Sequence, residues 1–175
     1  MDSLAWRHLV VEMVKVLQEM SQVDTEHLWE YHLPGLAATS EQLAAIEIKL
    51  GEPLDPIYCS FLEVAGGWRS VYQMVDLFGP EDLLRGEASD RARRQLAYLD
   101  DEVLQSSGVR RDDLLPIACS SDSKTLFVLG LGRSSIPGRI VWFHGVEVDR
   151  FTSFLEFFTS LIEYNRLEVG DLRGH

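Results

Sequence analysis

The hydrophobic period of this chain is helical up to residue 67 and turns strand-like only afterwards, an order that limits its folds more than any single motif does. Between residues 3 and 20, Leu9, Val10, Met13, Val14, Leu17 and Met20 recur at helical spacing, with Arg7, Glu12, Lys15 and Glu19 mostly elsewhere, which predicts an amphipathic helix. Residues 21–38 contain Pro34-Gly35, Trp29 and Tyr31 and read as a connector held down by its aromatics, with at most a helical turn. Thr39-Ser40-Glu41-Gln42 is a capping signal, and Leu43, Ile46 and Leu50 then repeat until Gly51 stops a second helix. After a turn through Pro53 and Pro56, Ile57, Phe61 and Ala65 line a third helix that ends at Gly66-Gly67.

The later segments have strand character. Residues 70–78 are rich in β-branched and aromatic side chains and predict one strand closed by Gly79-Pro80. Residues 114–119, 126–131 and 139–144 predict three more, separated by polar turns. Residues 81–105 read as helical but highly charged, with Arg91, Arg93 and Arg94 set against Asp100, Asp101 and Glu102, the pattern of a solvated helix or loop insertion. Ser153-Phe-Leu-Glu156 is a second capping signal and opens a helix striped by Phe154, Leu155, Phe158, Leu161 and Ile162. The expected fold is α+β, a single domain with a small, mostly antiparallel sheet of about four to six strands flanked by N-terminal helices and a C-terminal helix.

At 175 residues, 46% of them hydrophobic, the chain can fill one core. Its net charge of −12 disfavours a nucleic-acid backbone or an anionic membrane as direct partner and leaves room for a basic one. A soluble surface is the plainer reading of an acid excess. The excess is uneven: residues 1–65 hold eleven acids against Arg7, Lys15 and Lys49, a net of −8. No run approaches the roughly 18 apolar residues of a membrane span, and Glu12, Lys15 and Glu19 interrupt any signal-peptide pattern, so a cytoplasmic location is expected.

No catalytic or metal set assembles from spacing. Cys59 and Cys119 lie sixty positions apart without a CxxC, and pairing either with His144 as a nucleophile competes with the commoner fate of a small buried hydrophobe. His27 and His32 stand five apart, where helical ligands want three or four. Gly130-Leu-Gly132 leads to Ile136-Pro137 and not into a helix, so it reads as a hairpin turn and not a phosphate loop. Asp100-Asp101 and Asp112-Asp113 sit in charged surroundings that give no reason for a raised pKa. The expectation is a non-enzyme without cofactor or metal.

Taken in order, the capped helix from Thr39 to Leu50, Gly51, a proline turn and Tyr58-x-x-Phe61-Leu62-x-x-x-Gly66-Gly67-Trp68-Arg69 resemble the opening signature of the SUKH superfamily, also called SMI1/KNR4. Leu115-Pro116-Ile117-Ala118, the strand from Thr125 to Leu129, Val141-Trp142-Phe143-His144 and Phe151-x-x-Phe154-x-x-Phe157-Phe158 are similar to its later strands and final helix. The likeness runs over about residues 39–164, which makes residues 1–38 a helical extension of one SUKH domain spanning 1–175. Three places depart from the family: Gly66 stands where Asn is usual, the Leu-Pro is stretched to Pro53-Leu54-Asp55-Pro56, and the turn after Pro116-Ile117 is Ser120-Ser121-Asp122-Ser123. If position 66 needs positive φ, the first departure is conformationally harmless.

The resemblance implies a binding module. Bacterial members are commonly immunity proteins that neutralise polymorphic or contact-dependent toxins, often nucleases or deaminases, by plugging the active site; eukaryotic members act as scaffolds or subunits of complexes. An immunity protein against a basic toxin is the leading expectation and an intracellular scaffold the alternative. Glu26, Glu30, Glu41, Glu47, Asp55 and Glu63 are the candidate charges of the partner surface, and Trp68 and Tyr72 its candidate aromatic anchors, with core packing as the competing role for both.

Overall fold

Asp2 opens the first helix, α1 (Ser3–Val23), by accepting a hydrogen bond from the Ala5 amide at 2.8 Å. In the computed structural model, which describes residues 2–174, the chain then passes through a connector to α2 (Ser40–Leu50) and α3 (Pro56–Leu62). Thr39 and Gln42 form the reciprocal capping box read from the sequence, and Gly51 ends α2 at φ +73°. Asp55 caps α3 by accepting from the amides of Ile57 and Tyr58.

The sheet has six strands, all antiparallel and in sequential order: β1 (Trp68–Tyr72), β2 (Val75–Leu77), β3 (Leu114–Ser120), β4 (Leu126–Gly130), β5 (Ile140–His144) and β6 (Val146–Phe151). The single strand expected over residues 70–78 is two, because a tight turn at Gln73, with φ +50°, folds β2 back on β1. β6 was not anticipated, although Val146-Glu-Val148-Asp alternates at period two; a turn made at Gly145, φ +75°, joins it to β5. β3 and β4 are buried on both faces, which is why they read as continuous apolar runs. Pro116 is accommodated in central strand β3 at a register shift between residues 116 and 118.

Helix α7 (Phe154–Arg173) covers one face, where Phe157 packs on Phe127 at 5.0 Å between ring centroids and Tyr164 approaches Trp142. Only half of the expected box forms at its start: Ser153 accepts from the Glu156 amide, while Glu156 turns to the Thr152 amide and hydroxyl. α1 and α3 pack beside α7. The segment between β2 and β3 forms α4 (Pro80–Arg85), α5 (Glu87–Tyr98) and α6 (Asp101–Ser106). It is no solvated insertion. Ala88, Ala92 and Leu96 are buried against β3 and β4, so α5 covers the second face of the sheet, and Cys119 reaches the Ala88 carbonyl. Its charges pair elsewhere than expected: Arg91 with Asp76, Arg93 with Asp90, and Asp101 with Arg111. Alanine at i, i+4 lets a charged helix approach a sheet closely, and total charge conceals that stripe.

Candidate partner-binding surface

The connector between α1 and α2 is a strap stitched along its length. Asp24, buried at the end of α1, accepts from the Leu28 and Trp29 amides at 2.9 and 3.1 Å and from the Tyr31 hydroxyl at 2.7 Å. Burial alone would push its carboxyl pKa up, but these three donors outweigh it and hold it below the usual carboxylate range; the Tyr31 hydroxyl is driven up by burial and by the same carboxylate. Farther on, the Trp68 indole donates to the His32 carbonyl at 2.9 Å. Gly35 exchanges backbone hydrogen bonds with Gly67 and Gly66, at 2.8 and 3.0 Å, and the Ala38 amide donates to the Leu62 carbonyl at 2.7 Å.

Because the strap's backbone satisfies itself inward, several of its apolar side chains are left outside. Leu33 is 70% exposed, Leu36 is 94% exposed and Leu28 is half exposed. Pairing of residues 35–38 with residues 62–67 sets Leu36 beside the segment carrying Glu63. Glu26 and Glu30 lie on the strap and Glu41 follows it in the first turn of α2; all four carboxylates are exposed. The surface therefore combines leucines with a rim of acids, the composition of a protein-binding patch more than of a solvated loop.

The other expected residues have different places. Glu47 accepts from the Leu54 amide and Asp55 caps α3, so both carboxylates shape the α2–α3 turn. Trp68 is 2% exposed and packs 6.5 Å from Phe158, which makes it a core residue and removes it as a docking anchor. Tyr72 is half-buried against Tyr164. The leucines of the strap were missed by the sequence reading; their lack of any period was the available signal.

Burial pushes the Cys59 and Cys119 thiols up, away from the reactive thiolate. Among the described residues, no group of three or more His, Cys, Asp or Glu side chains is arranged to hold a metal ion. No described helix is long and apolar enough to cross a membrane.

A family model described as SMI1 / KNR4 family (SUKH-1) matches residues 37–164, well over half of the chain. The chain belongs to this family. The SMI1/KNR4 match opens at the end of the strap and closes within α7, so α1 and most of the strap lie before it. No curated protein matches the chain. The glycine at position 66, where the family resemblance suggests Asn, also has a different cause from the one expected. Gly67, and not Gly66, has positive φ, at +87°. Position 66 needs glycine because a Cβ there would run into the Leu36 carbonyl.

Asp24 supplies a test of the strap. Its folded pKa is lowered, so its stabilisation is present above the unfolded value of about 3.9 and is lost as pH falls through the folded value. Asp24→Ala should destabilise the protein by about 1–3 kcal/mol at neutral pH. The difference from wild type should shrink on acidification below about pH 4. Hydrogen exchange at the Leu28 and Trp29 amides should rise in the same variant; unchanged protection there would show that Asp24 does not hold the strap.

Proposed function

We propose that this SMI1/KNR4-family protein is an immunity protein that binds a basic protein toxin through the strap and blocks its active site. The observation that carries the reading is a stitched strap that exposes Leu33 and Leu36 together with Glu26 and Glu30, with exposed Glu41 following it in α2 and exposed Glu63 on the segment paired with it. A nuclease or other nucleic-acid-acting toxin presents Lys and Arg for phosphate, and a carboxylate-rich inhibitor is steered to those charges while the leucines supply desolvated contact.

The decisive experiment asks whether the neighbouring reading frame encodes a secreted protein with a variable, toxic C-terminal domain and co-expresses that domain with this protein; the lack of such a neighbour would remove most of the support for the reading. Protection of the cells, lost on Leu33→Asp with Leu36→Asp, supports the reading. Binding without protection would support the scaffold role known for other members of the family, and neither binding nor protection would refute the pairing. In the purified pair, Glu26→Lys, Glu30→Lys, Glu41→Lys and Glu63→Lys together should slow association by about tenfold or more at low salt and flatten its salt dependence. An unchanged on-rate would leave the acids a solubilising role alone.

A further inference from the structure

A cationic cavity of about 600 Å³ opens at the surface beside α5. It lies where α5 meets the turns of the β3–β4 and β5–β6 hairpins. Its lining includes Arg91, Arg94, Tyr98, Ser123, Lys124 and His144, and no carboxylate. On α5, Arg91, Arg94, Gln95 and Tyr98 fall at i, i+3, i+4 and i+7, a stripe that flanks the buried Ala88, Ala92 and Leu96. Three permanent positive charges converging on one volume are unexpected in a chain of net charge −12.

The hydrogen bonding around that volume is incomplete. Arg91 Nε and Gln95 Oε1 are buried and have no hydrogen-bond partner, although Arg91 also stands 3.7 Å from Asp76. Buried polar groups of this kind are normally paired, so the side of α5 next to the cavity is left incompletely satisfied. Arg94 makes no ion pair among the described residues. Lys124 is held 3.6 Å from Asp122, and His144 Nδ1 lies 3.1 Å from the Thr125 hydroxyl. Tyr98 is 85% exposed, which leaves an aromatic face free at the rim.

We propose that this cavity binds a small ligand of the mononucleotide class, with its phosphoryl group among Arg91, Arg94 and Lys124 and its planar ring against Tyr98. Three cations match a doubly charged phosphoryl group better than a single carboxylate, and guanidinium forks suit its oxygens. The volume lies within the range of small-molecule sites, about 300–1,000 Å³.

Calorimetric titration of the full-length protein with AMP, adenosine and inorganic phosphate at low salt tests the assignment. Saturable one-to-one binding of AMP is expected, with adenosine and inorganic phosphate each weaker by about tenfold or more. Arg94→Gln with Lys124→Gln, both exposed positions, should weaken AMP by about tenfold or more and leave the melting temperature of the free protein unchanged. Tyr98→Ala should weaken AMP but not inorganic phosphate. Absence of saturable AMP binding, AMP binding no tighter than inorganic phosphate, or full affinity in the double variant would each overturn the proposal.

Discussion

Replacing Gly66 by alanine is expected to destabilise the protein by about 3 kcal/mol or more, lowering the melting temperature by roughly 6–12 °C. Four glycines meet where the strap crosses the start of the sheet. A Cβ on Gly66 would overlap the Leu36 carbonyl, one on Gly79 would overlap the Gly66 carbonyl, and Gly35 and Gly67 face Gly66 and Gly79 in the same way. Backbone meets backbone at each point, so no side-chain rotamer can relieve the overlap, and moving the strap would break the Gly35–Gly66 and Gly35–Gly67 hydrogen bonds. Gly170→Ala is the contrasting case. That position lies in the last turn of α7 with open space around it, so alanine should stabilise by up to about 0.5–1 kcal/mol through helix propensity and a less flexible unfolded chain. Thermal unfolding of both variants measures the difference; equal and small effects would mean that the crossing has room to relax.

Trp6→Ala should cost about 3–5 kcal/mol although Trp6 lies more than thirty residues before the family match begins. The indole is fully buried, with its centroid 5.3 Å from Phe61, 5.8 Å from Phe154 and 5.7 Å from Phe158, and its N–H donates to the Ser60 hydroxyl at 2.7 Å. Removing it would open a cavity lined by aromatics of α3 and α7 and leave rings without their edge-to-face partner. Denaturant unfolding of Trp6→Ala and Trp6→Phe should rank the two, with phenylalanine recovering a large part of the loss. An alanine variant as stable as wild type would make α1 an appendage; the expected result makes it part of the same hydrophobic core as the SMI1/KNR4 segment.

Local signals and tertiary ones separate cleanly along the chain. The helix starts at Thr39 and Ser153 and the stop at Gly51 were legible because capping acts over three or four residues of neighbouring chain. β3, β4 and β5 were legible from apolar runs bounded by turns. The burial of α5 is hidden in the sequence because abundant arginine masks a narrow stripe of alanines, and β6 gives a weak signal because half its residues face solvent. Trp68 read equally well as anchor or core, since a sequence carries no record of which side of a strand is covered.

The sequence by itself determined that three helices precede a sheet closed by a C-terminal helix, the α+β class, the family resemblance and the concentration of acid in the first third, all of which depend on period, spacing and count. Only the tertiary structure decided that four of the six expected acids stay exposed, as Leu33 and Leu36 do, while two are tied into a turn. The same holds for the cationic cavity, whose three cations come from α5 and from a turn about thirty residues later. The reason is physical: a helix cap is settled by adjacent backbone, whereas exposure and charge convergence depend on which distant surfaces the packed core brings together.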